Sequence, residues 1–219
     1  MRTMTGRYLS LDDLPRTIGI FPLTGVVVLP RGQLPLNVFE PRYLALVDAA
    51  MAGNRLIGMI QPVDHEDAGL KPALSAIGCA GRITSYRETE DRRYLITLTG
   101  ICRFKVRSEL SATTPYRQVE SDFAPFVGDL VSAEDTNFPR ERLLAALKDY
   151  LAKRDLKADW RNVMGAPAET LVNALAMLCP FEPAEKQALL EAPNWHDRVM
   201  TLVALLEMAS AAPGSASVN

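Results

Sequence analysis

The sequence predicts an α+β fold, in which a curved, barrel-like sheet comes first and a small helical bundle follows. The hydrophobic pattern is mostly strand-like from about residue 18 to residue 124, and helical from about residue 134 to residue 210. Prolines at positions 22, 30, 35 and 41 interrupt the apolar stretch 21–47. Because proline is kept out of central strands, these four prolines delimit short strands. We expect a β-rich subdomain over 16–124, a helical subdomain over 134–210 and a disordered tail over 211–219.

Composition predicts a cytoplasmic globular protein. Of the 219 residues, 48% are hydrophobic and 23% are charged, and the formal net charge of −2 creates no overall field that attracts nucleic acid or anionic lipid. The first residues, MRTMTGRYLSLDDLPR, lack the apolar core of a signal peptide. The apolar segment near Val199 is too short to span a bilayer and contains Glu207. We expect the three cysteines to be reduced and structural.

The first elements follow from the positions of the prolines and glycines. TIGIFPL predicts a strand that ends near Pro22, and TGVVVLPRGQ predicts an extended loop with a turn at Arg31-Gly32. LPLNVF predicts a second short strand. EPRYLALVDAAMAG predicts a helix with Pro41 at its first position and Gly53 just past its end. RLIGMIQP predicts a third strand.

A long hairpin is predicted for AIGCAGRITSYRETEDRRYLITLTGICRFKVR, and a further strand for YRQVESDF. If Glu90-Asp91 is the turn, Ile83 lies opposite Leu98 and Gly81 lies opposite Gly100. The same register places Cys79 opposite Cys102, so that these two thiols are predicted to be cross-strand neighbours in a reduced protein.

Four helices are predicted in the second half of the chain, joined by short connections that favour antiparallel packing. The first covers about 136–153, the second follows Pro167, and the third is PAEKQALLEA. The fourth begins with Asn194 as N-cap and Asp197 three residues on. The second helix places the apolar residues Leu171, Ala174, Leu175 and Leu178 at helical spacing.

No pattern in the sequence predicts a catalytic residue, a metal site or a cofactor. It contains no G-x-x-x-x-G-K-[ST], G-x-S-x-G or H-E-x-x-H motif. The DHED segment at 64–67 reads as a solvated acidic loop, His196 as a surface residue, and the cysteines as packing residues. A serine–lysine pair is not excluded by pattern alone, but no lysine lies in a recognisable catalytic setting, so we disfavour it.

Two segments are candidates for binding. The first is the apolar run Val26, Val27, Val28 and Leu29, beside Arg31, in the predicted loop. These side chains either plug a core, which we favour, or remain exposed and bind unfolded polypeptide.

The second candidate is the basic hairpin, interleaved with Tyr86 and Tyr94. Its cationic residues are Arg82, Arg87, Arg92, Arg93, Arg103, Lys105 and Arg107. Basic strands with aromatic residues can hold single-stranded nucleic acid. The alternative, which we favour, is the solvated face of a two-sided sheet, neutralised by Glu88, Glu90 and Asp91.

The chain also resembles a known family. IFPLTGVVVLPRGQLPLNVFEPRYLALVDAAM is similar to the opening of the N-terminal domain of Lon-type ATP-dependent proteases, and the similarity continues through GCAGRITSY, RYLITLTGICRFKV and NALAMLCPFEPAEKQALLEAPNWHDRVMTLVALLE. It covers roughly residues 16–209. The resemblance implies a PUA-like β-rich pseudo-barrel, a helical bundle, and a role in capturing substrate polypeptide and aiding assembly. Because the family's ATPase and serine–lysine peptidase segments are absent, the chain looks like the free-standing bacterial form.

Several positions match the family signature: Pro22, Leu23, Val27, Pro30, Pro35, Leu36, Glu40, Arg42 and Tyr43. We interpret most of them as architectural, with Glu40 and Arg42 fixing the start of the helix through hydrogen bonds. The resemblance therefore predicts a non-enzymatic module that binds unfolded or exposed polypeptide segments, beside a separate protease or chaperone and away from membranes. The alternative is an RNA-binding PUA-like module that uses the arginine-rich hairpin.

Overall fold

The strands form one sheet that closes on itself. A computed structural model describes residues 8–63, 71–132 and 138–211 of the chain. Within these ranges the strands are β1 (Thr17–Pro22), β2 (Gln33–Val38), β3 (Leu56–Ile60), β4 (Ile77–Glu88), β5 (Tyr94–Glu109) and β6 (Gln118–Asp122). Their order is β2-β5-β4-β3-β1-β6, and β6 pairs with β5 as well. β1 and β3 are parallel, whereas the other pairs are antiparallel. The β5–β6 pairing closes five strands into a barrel.

β2 lies outside this ring, at an edge. It pairs with the first half of β5 alone, from Gln33 opposite Thr99 to Val38 opposite Tyr94. Pro35 therefore sits in a strand with one unpaired side, where its missing N–H is tolerated. The proline-rich stretch thus produces an edge strand rather than a central one.

The β4–β5 hairpin confirms part of the predicted register and corrects the rest. Ile83 lies opposite Leu98 and Gly81 opposite Gly100, as predicted. Beyond Gly100 the register shifts by one residue, so that Cys102 pairs with Ala80 and Cys79 pairs with Arg103. The predicted Cys79–Cys102 pair is wrong, because Ile101 is an extra residue in β5. Such a bulge sends the following side chains to the opposite face of the sheet.

The helices are α1 (Pro41–Ala52), α2 (Arg140–Lys153), α3 (Trp160–Gly165), α4 (Ala168–Leu178), α5 (Pro183–Glu191) and α6 (Trp195–Ala211). Two 3-10 segments of the described residues, Leu11–Asp13 and Ala124–Leu130, accompany them. The four predicted C-terminal helices are present, and Asn194 caps α6 by accepting from the Asp197 N–H at 3.0 Å. The short helix α3 was not predicted. Its signal is Asp159, whose carboxylate accepts from the N–H groups of Arg161 and Asn162.

Two hydrophobic clusters form the interior. In β3, Ile57 and Met59 belong to one cluster and Leu56 and Ile60 to the other, as expected for alternate residues on the two faces of a sheet. The first cluster is shared by the sheet, α1 and the helices α2 to α6. The α+β class is therefore confirmed. The DHED segment and residues 212–219 lie outside the described residues.

Candidate functional site

The apolar loop between β1 and β2 is buried. Val27, Val28 and Leu29 are at most 3% exposed and belong to the cluster shared with the helices, and Val26 is half-buried. The interpretation in which this run forms an exposed binding surface is therefore contradicted. The loop plugs the space between sheet and helices, because that space offers the apolar contacts that these side chains need.

Backbone hydrogen bonds hold this loop against β5. Gly32 N–H donates to the Leu29 carbonyl at 2.9 Å, which closes a turn at the predicted place, with Pro30 second and Arg31 at φ 64°. Gly100 exchanges two hydrogen bonds with the loop, accepting from Arg31 N–H at 2.7 Å and donating to the Gly32 carbonyl at 2.9 Å. A Cβ on Gly100 would lie 2.0 Å from the Leu29 carbonyl oxygen. The close approach therefore requires glycine at position 100.

Arg31 connects the loop to the helical half. Its Nη1 donates to the Asp129 carbonyl at 2.6 Å, and its Nη2 forms an ion pair with Glu169 on α4. Nearby, Asn173 Nδ2 donates to the Pro30 carbonyl at 2.9 Å. Arg31 thus ties the loop to α4.

The structure overturns the predicted exposure of Arg103. Its side chain is 3% exposed and binds the Asp129 carboxylate through both Nε, at 2.8 Å, and Nη2, at 2.9 Å. Its Nη1 donates to the Leu190 carbonyl at the end of α5, at 3.0 Å. The bulge at Ile101 turns this residue toward the helices. Arg103 therefore joins the barrel to the bundle and is not part of a nucleic-acid surface.

The other basic residues of the hairpin do not share one environment. Arg82 is half-buried, and the residues Arg87, Arg92, Arg93, Lys105 and Arg107 are exposed. Arg93 pairs with Asp91 at 2.8 Å and Arg107 pairs with Asp122 at 3.0 Å. Acidic neighbours thus neutralise part of this surface, as the solvated-face interpretation expects.

The signature residues at the start of α1 contact each other and β1. Arg42 Nε donates to the Glu40 carboxylate at 2.9 Å, but Glu40 makes no side-chain cap to the helix backbone. Tyr43 stacks on Phe21 with ring centroids 3.9 Å apart, and its hydroxyl donates to the Pro22 carbonyl at 3.4 Å. These contacts give Tyr43 an architectural role.

An apolar groove lies between α2, α3 and α4. Its volume is about 410 Å³, and Leu151, Leu156, Val163, Leu171, Leu175 and Leu178 are among its lining residues. Lys157 is the one charged residue among the described residues that line it. We call this feature the α4 groove.

One side of α4 forms the rim of the groove. Leu178 is 77% exposed, although it follows the same helical spacing as the buried Leu171. Thr170, Ala174 and Leu178, spaced four residues apart, line both the α4 groove and a second cavity of about 430 Å³ that reaches Arg31. The helix therefore buries one side and presents an apolar ridge on the other.

No catalytic arrangement appears in the described part of the chain. Within 8–63, 71–132 and 138–211, no three His, Cys, Asp or Glu side chains come together to hold a metal ion. Burial raises the pKa of the Cys102 thiol to about 12 and that of Cys179 to about 11, which disfavours the nucleophilic thiolate. His196 is exposed. None of the helices described is long and apolar enough to cross a membrane.

Comparison with known proteins identifies the family. The family described as the ATP-dependent protease La (LON) substrate-binding domain matches residues 17–208. The chain belongs to this family. Among solved structures, the N-terminal domain of the Mycobacterium avium complex Lon protease aligns with a TM-score of 0.60 and 17% identity, covering 89% of this chain and 98% of that one. A Lon N-terminal domain protein from Xanthomonas campestris aligns with a TM-score of 0.59 and 24% identity, covering 86% and 97%. These likenesses confirm the Lon N-terminal fold.

The sequence relatives are longer proteins. The Lon protease of Desulfosudis oleivorans is 29% identical over 191 residues, which are 83% of this chain and 22% of that protein. Lon protease 2 of Thermus thermophilus is 24% identical over 198 residues, 89% of this chain and 24% of that protein. The chain therefore spans less than a quarter of the length of these two relatives. What it shares with them is the Lon substrate-binding domain.

The sequence was sufficient to identify the family, but it predicted neither the α4 groove nor the contacts between barrel and bundle. It did not anticipate the buried Asp129 and Arg198 or the half-buried Glu169 at the junction of barrel and bundle. For Arg103 a signal was present, since one arginine stands inside the apolar run ICRF. Continuous burial from Ile101 to Phe104 is the structural counterpart of that run.

Proposed function

We propose that this chain is a non-enzymatic substrate-recognition module that binds unfolded or exposed polypeptide segments in the α4 groove. Membership in the LON substrate-binding domain family supports polypeptide as the ligand class. The single observation that supports the location is the exposed apolar ridge of α4, with Leu178 at 77% exposure beside an apolar groove of about 410 Å³. Exposed apolar surface of this kind marks interaction sites.

The chemistry of the groove favours apolar side chains over charged ones. Its lining is dominated by leucine, valine and alanine, and Lys157 contributes the one charge among the described lining residues. Folded proteins bury such side chains, whereas unfolded chains expose them. The groove therefore favours unfolded over folded proteins, because a folded protein exposes few apolar segments that could fill it.

We assign no reaction to this chain. The bound segment would pass to a separate protease or chaperone, and the module's contribution would be capture alone. Incubating the protein with unfolded polypeptide, with and without ATP, is expected to give no cleavage and no nucleotide hydrolysis. Turnover in either assay contradicts this part of the proposal.

The binding test is a titration of a fluorescently labelled, reduced and alkylated unfolded polypeptide, followed by anisotropy. The wild-type protein is expected to bind saturably at micromolar concentration. Leu178→Glu places a charge on the ridge, and we expect the affinity to fall by about tenfold or more, equivalent to about 1.4 kcal/mol. The loss follows because binding would have to desolvate the new carboxylate.

Met208→Glu is the matched control. Met208 is a large apolar residue on α6, 67% exposed, and does not line the groove. Its substitution adds the same charge and is expected to leave affinity unchanged. Equal losses in both variants, or no saturable binding by the wild type, contradict the proposal. Affinity that falls steeply as salt rises indicates phosphate-type electrostatics and favours nucleic acid instead.

A further inference from the structure

A third cavity lies beside the Arg31–Glu169 ion pair. Its volume is about 270 Å³, and three arginines line it, Arg31, Arg103 and Arg198. Its lining also includes the exposed residues Val131 and Ser132. A water molecule takes about 30 Å³ of liquid volume, so the space suits a small ion with part of its hydration. We call this feature the arginine cavity.

The acids around the arginine cavity are already engaged by two of the arginines. The Asp129 carboxylate accepts hydrogen bonds from Nε and Nη2 of Arg103, and Glu169 forms an ion pair with Arg31. No other acidic residue is among the described residues that line the cavity. Counted over the described residues, the lining therefore carries three guanidinium groups and two carboxylates, an excess of one positive charge.

Arg198 supplies that excess charge. Its side chain is 3% exposed, and its Nε donates to the Leu189 carbonyl at 3.1 Å. Its Nη2 is buried and has no hydrogen-bond partner among the described residues. A buried, incompletely paired charge is costly. Burial and the like charge of Arg103 lower the pKa of Arg198 to about 10, which still leaves it protonated at neutral pH.

The beginning of α6 adds to the positive potential. Asn194 and Trp195 line the cavity, and the N-terminal end of a helix of this length favours negative charge. Asp197 in the same turn opposes this effect in part, although its carboxylate accepts from Asn194 Nδ2 at 2.8 Å. Arg31 contributes a second buried donor, its Nε, for which the described part of the chain offers no hydrogen-bond partner.

We propose that the arginine cavity binds a small oxyanion, a carboxylate or a phosphate, whose oxygens accept from the Arg198 guanidinium. The anion supplies the counter-charge that Arg198 lacks and stabilises the junction between the 3-10 segment Ala124–Leu130 and α6. This site is separate from the α4 groove, so it stands or falls independently of the proposed polypeptide binding.

The test uses Trp195 as its reporter. The chain has two tryptophans, so Trp160→Phe leaves Trp195, at the cavity, as the single one. Inorganic phosphate and acetate are titrated separately, at constant ionic strength set by sodium chloride. We expect a saturable change in Trp195 fluorescence at millimolar anion. In Arg198→Met the apparent affinity is expected to fall by about tenfold or more, because a charge-assisted donor is removed.

The matched control is Arg142→Met, which removes an exposed arginine that pairs with Glu207 on the surface. It is expected to bind both anions as the parent does. Methionine suits position 198, since replacing a buried charge by an apolar residue of similar volume is often tolerated. Circular dichroism melts of each variant verify folding.

If Arg198→Met does not fold, Arg198→Lys replaces it. Lysine keeps the charge but lacks the planar fork, so the affinity is expected to fall several-fold. Tighter binding of phosphate or of acetate identifies which oxyanion the site prefers, and either result supports it. Absence of saturable binding by both anions, or an affinity in the position-198 variant equal to that of the parent, overturns the proposal.

Discussion

The loop between β1 and β2 and the helix α4 are both strongly apolar, yet they lie in opposite environments. The sequence left open an exposed loop that binds other chains, and placed Leu178 among apolar residues at helical spacing. In the structure Leu29 is fully buried, whereas Leu178 is 77% exposed. The difference shows that an apolar segment predicts burial against another surface but does not identify that surface.

The loop can be buried because its backbone N–H and carbonyl groups find hydrogen-bond partners inside the protein. Gly100 exchanges two hydrogen bonds with it, and the buried Gln61 accepts from the Gly25 N–H at 2.7 Å while donating to the Pro183 carbonyl at 3.0 Å. A buried loop requires partners of this kind for its polar groups. With those groups paired, the valines and leucine beside them can enter the core.

Helix α4 satisfies its own backbone and is apolar on more than one side. Val172 and Ala176 are fully buried, and the core has room for that side alone. The opposite residues, Ala174 and Leu178, remain at the α4 groove. This exposed apolar side is the part of α4 that we propose as the contact for polypeptide.

The strongest test of this contrast is a pair of leucine truncations. Leu29→Ala is expected to lower the free energy of unfolding by about 2–5 kcal/mol, because it opens a cavity in the core. Leu178→Ala is expected to change it by less than about 0.5 kcal/mol, because that side chain is surrounded by solvent. Urea denaturation of both variants measures the difference. Similar losses of unfolding free energy at the two positions would contradict this contrast. They would mean either that Leu178 is packed like a core residue or that Leu29 is not.

A second test attacks the close approach of the loop to β5. Gly100→Ala is expected to cost about 1–3 kcal/mol of unfolding free energy, because overpacking forces the backbone of the loop outward. The added Cβ would meet the Leu29 carbonyl oxygen at 2.0 Å. Gly128→Ala is the control, since a Cβ there meets nothing within 4 Å. An unaffected Gly100→Ala variant would mean that the loop does not depend on this contact.

Most of the fold could be predicted, because it follows from local rules. Pro41 and Gly53 delimited α1, and the predicted register of the hairpin holds between Gly81 and Ile83. The register fails on both sides of this stretch, at the shift between Ile83 and Ser85 and at Ile101. A single inserted residue changes the face of everything after it, and nothing in the alternation of the preceding strand reports that insertion.

The candidate site was harder to predict, because it depends on how elements that are distant in sequence meet. The burial of Arg103 requires Asp129 and the end of α5 to meet it. The α4 groove requires the unpredicted helix α3 to stand beside α2. Hydrophobic periodicity identifies the apolar sides of α4 but gives no information on which side another helix covers.

Cys179 provides the test with the smallest expected effect. The alkylation rate of its thiol reports on the α4 groove without a substitution in the groove. It lines the α4 groove at 6% exposure, whereas Cys79 and Cys102 are fully buried elsewhere. Because burial raises its pKa to about 11, the reactive thiolate is scarce at pH 8. Alkylation of Cys179 should therefore be slow and should accelerate about tenfold per pH unit below that value, since each unit raises the thiolate fraction tenfold.

Bound polypeptide is expected to slow this alkylation further by covering the groove, while Cys79 and Cys102 react only as the protein unfolds. Peptide mapping by mass spectrometry separates the three sites. Met208→Glu should show the same protection as the wild type, and Leu178→Glu should show less at equal polypeptide concentration. Protection that is identical in both variants would place the polypeptide outside the groove and would contradict the proposed binding at α4.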